Sequence, residues 1–308
     1  MKKAPQNEID KALDWCASLL RPVEMISDRS KVHGGHESST FRLSASLGYC
    51  YLKVHQTLSH WHNEVHAYEQ WASAFGDYAP RLLAVRDEAP LALVVTELPG
   101  RIVEDMPLSH SQEQTIWQAA GAALTALHDL EVGDCFGPCF RDGSCAELYS
   151  KNAEEYVSQR FKKQIDYATR GGYISDDELS TIQAVYELIP AFEGERPLPC
   201  HRDYCAANWL ANQQGVWMGV IDFEFAYWDV RVADFSRDPE WPWIRRPDLV
   251  DAFFEGYGCS LTPAEAQQLF VAHTEYALGA ILWGRDHAFY GFEREGHESL
   301  AHIATLLR

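Results

Sequence analysis

His201, Arg202 and Asp203 are followed by Asn208 and then, after the apolar pair Val220-Ile221, by Asp222. Phosphoryl transfer to a hydroxyl needs a carboxylate beside that hydroxyl and oxygen ligands that hold Mg²⁺ against nucleotide phosphates. Asp203 suits the first task, and Asn208 with Asp222 suits the second. Between them, Trp209-Leu210-Ala211 and Val216 to Ile221 are short apolar segments around the turn-forming Asn212-Gln213-Gln214-Gly215. That pattern predicts a β-hairpin. A hairpin returns the chain to its start, which sets Asp222 beside Asn208. The plain alternative is an accidental tripeptide among solvated loop acids; three polar residues at this spacing, then a hairpin and an acid, weigh against it.

The elements that must position these groups lie upstream. Residues 7 to 20 place Ile9, Leu13, Cys16 and Leu20 on one helical face, and Arg21-Pro22 ends that helix. From Val23 to His55 the pattern is strand-like, punctuated by Gly34-Gly35 and Gly48. Gly34-Gly35, with Ser38-Ser39-Thr40 close behind, forms a turn whose amides could face phosphates, although it matches neither dinucleotide nor Walker motifs. Lys53 then stands inside the strand Cys50 to Val54, an unusual place for an ammonium without partners. His60 to Ala74 reads as a helix carrying Glu64 and Glu69. Pro80 to Val85 and Leu91 to Thr96 read as strands, and Pro99-Gly100 marks a turn after the second.

Taken together, His201, Asp203 and Asn208, the run Val220-Ile221-Asp222-Phe223-Glu224, Asp229, and Ala233-Asp234-Phe235-Ser236 resemble the aminoglycoside phosphotransferase and choline kinase family of small-molecule kinases. The resemblance is strongest from 198 to 238. It implies an α+β, protein-kinase-like two-lobed fold, with a small antiparallel-sheet N-lobe over 1–98 and a mainly helical C-lobe over 99–308. It implies Asp203 as the catalytic carboxylate and Asn208 and Asp222 as Mg²⁺ ligands. ATP, with GTP as the alternative, would be held by Gly35, Ser38, Ser39, Lys53 and Glu64 and by the backbone at Glu97 and Leu98. Glu64 is preferred to Glu69 as the partner of Lys53, because Asn63-Glu64 stands where the family has a similar pair. His128 is expected to be structural, and Asp234 a buried acceptor bracing the catalytic loop. Two features depart from the family: Arg202 stands where Gly is common, and Glu224 replaces the Gly of D-F-G. No A-P-E segment follows, which disfavours protein-kinase activity.

Composition bounds the rest. The 308 residues are 46% hydrophobic and 23% charged, ordinary for a folded globular chain. The net charge of −19 argues against nucleic-acid binding and suits steering of a cationic small molecule, or merely solubility. No apolar run approaches a membrane span, and no signal peptide is visible, so a cytoplasmic protein is expected. Eight scattered cysteines without a C-x-x-C pair read as reduced thiols. Acids interleaved with aromatics after Asp222, Glu224 and Asp229 among them, are candidate substrate contacts. In the 147–193 segment two helices meet at Gly171-Gly172, and helices over 247–257, 262–289 and 296–308 close the chain. The family resemblance, with weak support from the acidity, implies an aminoglycoside-like antibiotic as acceptor, which would make this a resistance enzyme. The alternatives are a choline- or homoserine-type metabolite, or a nucleotide-binding pseudokinase that only interacts. Oligomeric state is not encoded in any of these signals.

Overall fold

A computed structural model describes residues 4–28, 38–146, 150–237 and 246–307. Gly34, Gly35 and the acidic-aromatic run from Asp238 to Trp243 lie outside the described residues. Five antiparallel strands form the N-terminal sheet: β1 (Val23–Asp28), β2 (Ser38–Ala45), β3 (Gly48–His55), β4 (Leu82–Arg86) and β5 (Ala92–Thr96), in the order β1-β2-β3-β5-β4. Strand alternation sorts its two faces. Phe41, Leu43, Cys50, Leu52, Val54, Ala92 and Val94 pack with Ile9, Ala12 and Cys16 of α1 (Gln6–Leu19). The opposite face carries Lys53, Leu93 and Val95, and looks into the molecule.

Helix α2 (Leu58–His66) starts at Thr57, whose hydroxyl accepts from the His60 N–H. The expected helix to Ala74 changes pitch first: a π-turn over Ala67–Trp71 and a 3₁₀ stretch over Ala72–Tyr78 follow. That rewinding buries Tyr68, Trp71 and Phe75 together in the main core. Beyond β5, β6 (Arg101–Ile102) pairs with β8 (Trp209–Ala211), which forms the expected hairpin with β9 (Trp217–Val220). β7 (Leu198–Cys200) pairs with β10 (Tyr227–Asp229). The remainder is helical: α3 (His110–His128), α4 (Ala153–Gly171), α5 (Asp176–Tyr186), α6 (Pro247–Tyr257), α7 (Pro263–Asp286) and α8 (Tyr290–Leu306). Helix α3 opens on a capping box of Ser109 with Gln112. Helix α4 ends at Gly172 in the left-handed region, as its glycine pair implied. Among the described residues no helix is long and apolar enough to cross a membrane.

The reading of every cysteine as a thiol is corrected at one pair. Cys135 and Cys145 form a disulfide. The loop between them closes on itself, with the Phe140 N–H on the Ser144 carbonyl and the Ala146 N–H on the Pro138 carbonyl, which brings the two ends together.

Helices α3 and α6 cross where each offers a glycine. A Cβ on Gly121 would be driven into the Phe253 carbonyl, and one on Gly256 into the Gln118 carbonyl. Gly121→Ala should gain about 1 kcal/mol of helix propensity. Forcing two backbones apart costs about 1–3 kcal/mol or more. Net destabilisation is therefore expected, read as a lower denaturant midpoint; an unchanged or higher midpoint would refute this account of the crossing.

Candidate active site

The loop between β7 and β8 is held in a strained turn by one buried carboxylate. Arg202 sits at φ 62°, in the left-handed region that a side chain disfavours. Asp234, fully buried, accepts the His201 N–H at 2.9 Å and the Arg202 N–H through its other oxygen. It also meets His128 Nε2 at 3.0 Å, while His128 Nδ1 lies 2.8 Å from the Tyr257 hydroxyl. Asp234 and His128 are thus structural groups, as their sequence context suggested. His201 extends the bracing forward. Its Nδ1 accepts from the Asp203 N–H at 3.3 Å, which leaves Nε2–H to donate to the Ile221 carbonyl at 3.1 Å. Asn208 Nδ2 donates to the Asp203 carbonyl at 3.0 Å, and the Ile221 N–H donates to the Asn208 carbonyl at 3.0 Å. Asp222 follows at φ 72°. Asp203, Asn208 and Asp222 are therefore laced together by backbone bonds on one side of a cavity of about 950 Å³.

Lys53 enters that cavity from β3. Its ammonium lies 2.6 Å from Glu64 of α2, 2.7 Å from Asp222 and 3.6 Å from Glu224. Burial works against the charge, but Asp222, then Glu64 and Glu224, outweigh it and hold the Lys53 pKa well above the ordinary value. Glu64 is buried too, yet Lys53 and His55 pull it down to about 2; the His55 Nε2 stands 2.9 Å from its other oxygen. Glu69, the rejected partner, pairs with Arg141 instead.

Other candidates land less uniformly. Ser38 and Thr40 line the cavity. Ser39 does not: parity along β2 sends its side chain to the α1 side with Phe41 and Leu43, so the expectation for Ser39 is corrected. Glu97 and Leu98 line the cavity. The Glu97 carboxylate is held by Arg42 through two 2.8 Å bonds and by the Tyr51 hydroxyl, and its N–H bonds the Tyr49 carbonyl. Glu224 lines the cavity beside Lys53. Asp229 is also corrected as a substrate contact. It is fully buried and shared by Arg160 at 2.7 Å and Arg202 at 2.8 Å, with the Tyr156 hydroxyl at 3.2 Å.

Sequence reasoning missed several lining residues. Arg237 forms an ion pair with Asp203, and that carboxylate overcomes the penalty of burial to raise the arginine pKa. Arg160 reaches Glu275 through two bonds of 2.9 and 2.6 Å. Tyr276, Trp283, Phe289 and Phe292 complete the far wall. Only Arg237, which follows Ala233 to Ser236 directly, carried a signal near a motif.

Glu224 gives this cluster a pH signature. Burial and the neighbouring Asp222 charge raise its carboxyl from 4.5 to about 8. Between those values the folded chain keeps a proton that the unfolded chain has released, so stability falls as pH rises through that window. The ligand-free melting temperature should therefore drop more steeply from about pH 5 to 9 in the wild type than in Glu224→Gln. Parallel curves would refute the assignment.

The sequence model of the phosphotransferase enzyme family APH matches residues 28–269. No curated protein matches the chain. Among solved structures, the gentamicin complex of APH(2")-IIa is 17% identical, with 98% of this chain and 97% of that one covered at a TM-score of 0.66. A ternary complex of the aminoglycoside phosphotransferase APH(4)-Ia with AMP-PNP and hygromycin B is 16% identical, covering 96% and 97% at 0.71. The GDP and kanamycin complex of APH(2")-IIia is 11% identical, covering 96% and 98% at 0.67. At such identities the structural likeness speaks to fold, and it is the kinase-like fold that the sheet and helices above describe. With a family model spanning most of its length and that fold beneath it, the chain belongs to the APH phosphotransferase enzyme family, a group of small-molecule kinases.

Proposed function

We propose that this enzyme transfers the γ-phosphoryl group of ATP, with Mg²⁺, to a hydroxyl of a small molecule. The observation that carries the reading is a single buried ammonium, Lys53, bound at once by Glu64 and Asp222 at the mouth of the loop that bears Asp203 and Asn208. Residues 1–98 would supply most nucleotide contacts and 99–308 the acceptor and catalytic groups. Adenine would meet the Glu97 carbonyl and the Leu98 amide, because the Glu97 N–H is already bonded to Tyr49. The GDP-bound neighbour keeps GTP as the alternative nucleotide.

The donor set suits a hard cation. Asp222 contributes a carboxylate that is partly open to the cavity. Asn208 spends its amide N–H on the Asp203 carbonyl, which leaves its side-chain oxygen as the ligand. When bound there, Mg²⁺ neutralises phosphate charge and orients the transferred group. Lys53 would bind the phosphates against Glu64. Arg237 holds one oxygen of Asp203, so the acceptor hydroxyl would bond to the other. The hydroxyl oxygen attacks the γ-phosphorus, the bond to the β-phosphate oxygen breaks, and the hydroxyl proton passes to Asp203. Phosphoryl transfer depends more on this positioning than on a strong base.

The sequence favoured an aminoglycoside acceptor, and the structural neighbours named above include complexes with gentamicin, hygromycin B and kanamycin. A choline- or homoserine-type alcohol is the other class. The choice between them turns on the charge of the cavity's far wall.

MgATP should raise the melting temperature of the wild type by mass action. Asp222→Ala should lose that magnesium-dependent rise, whereas Asp203→Asn should keep it. With a pool of hydroxyl compounds, ADP release should fall about 10²–10⁴-fold in Asp203→Asn. No melting shift in the wild type, or full turnover in Asp203→Asn, would sink the proposal.

A further inference from the structure

The far half of the cavity is lined by Arg160, Arg202 and Arg237 together with the rings of Tyr276, Trp283, Phe289 and Phe292. Recognition of a polyamine requires carboxylates that can exchange their partners for ammonium groups. Here Asp203, Glu275 and Asp229 each already have at least one guanidinium partner. Asp203 is paired with Arg237. Glu275 is held through both oxygens by Arg160. Asp229 lies behind the wall between Arg160 and Arg202. An incoming ammonium would have to compete with a guanidinium already in place at each of them.

The rings do not offer a ready cation box either. Arg237 already stands 5.5 Å over the Tyr276 ring, and Arg202 stands 4.0 Å over Tyr227. A second cation on Tyr276 would meet the first. What remains is apolar surface. Trp283 packs edge-on with Phe289 and Phe292, at 6.0 and 5.7 Å between centroids, and Phe292 does the same with Tyr276. Ala272, Tyr276, Gly279 and Trp283 present one face of α7 to this space. At Gly279 an added Cβ would meet only Gln164 Nε2, at 3.7 Å, so the glycine leaves room there.

We propose that the acceptor is an alcohol carried on an apolar, ring-bearing body without ammonium groups, seated between the arginines and the α7 aromatics, and that polyamine aminoglycosides are excluded. The inference rests on the phosphotransfer reading for the word acceptor, but its test is one of binding. The probes are 8-anilinonaphthalene-1-sulfonate, followed by its fluorescence, and kanamycin, applied to the full chain. The naphthalene probe should bind the wild type, and Gly279→Met, which fills the space beside Trp283, should weaken it about tenfold. The melting shift with MgATP should be the same in both proteins. Kanamycin at about 1 mM should neither displace the probe nor raise the melting temperature. Displacement by kanamycin, or a kanamycin shift in the wild type, overturns the inference without need of any variant. Probe binding that ignores Gly279→Met overturns it as well. If MgATP gives no shift while both probes behave as expected, the kinase reading fails and the assignment of the cavity's chemistry stands.

Discussion

One buried cation joins the two halves of this molecule. Lys53 projects from the N-terminal sheet, Glu64 comes from the helix that follows it, and Asp222 lies 169 residues beyond Lys53 along the chain. An ammonium taken out of water is costly unless its partners are well placed, and removal of any one partner leaves an uncompensated charge. The sheet, α2 and the β8–β9 hairpin therefore cannot drift independently. Three carboxylates around one ammonium leave an excess of negative charge. The structure answers it in two ways: Glu64 stays ionised beside Lys53 and His55, while Glu224 holds its proton toward neutral pH. The same excess of oxygen ligands is the environment in which a divalent cation becomes the dominant local charge.

The second constraint is backbone strain. Arg202 and Asp222, neither of them glycine, both occupy the left-handed region. Such conformations persist when surrounding groups over-determine them. At Arg202 the fixing groups are the two oxygens of Asp234; at Asp222 they are the bonds that His201 and Asn208 make to Ile221 just before it. Asp234 is itself oriented by His128, and His128 by Tyr257. A chain of hydrogen bonds thus runs from α6 through α3 to the loop that carries Asp203.

This explains what the sequence made legible. His201, Asp203, Asn208 and Asp222 are close along the chain and joined by a hairpin whose turn residues are explicit, so their proximity follows from local rules. Lys53 and Glu64 are separated by one turn and one helix start, and it was the family resemblance at Asn63-Glu64 that singled out Glu64 over Glu69. Ser39 failed on parity itself: the strand entered with Ser38 and Thr40 facing the cavity, a phase fixed by Lys53 across the ladder at Thr40 and invisible in the serine run alone. Asp229 failed because its partners, Arg160 and Arg202, reach it from α4 and the β7–β8 loop. No spacing in the sequence announces that a carboxylate will be claimed from two directions. Glu275 and the α7 aromatics were hidden for the same reason, since only tertiary packing decides which face of a long buried helix meets a cavity.

Whole-chain charge says little about the acceptor for a related reason. A net charge of −19 sets the long-range field that solution and ions screen over roughly 10 Å. Affinity inside a closed cavity depends on charges that remain exchangeable after burial. In the far half of this cavity Asp203, Glu275 and Asp229 already have arginine partners, so a ligand ammonium would have to compete with them. An acidic exterior can therefore surround an acceptor site with no appetite for cations. The relation between the two is set by where the arginines fall, and Arg160, Arg202 and Arg237, three of the 26 lysines and arginines in an acidic chain, all fall there.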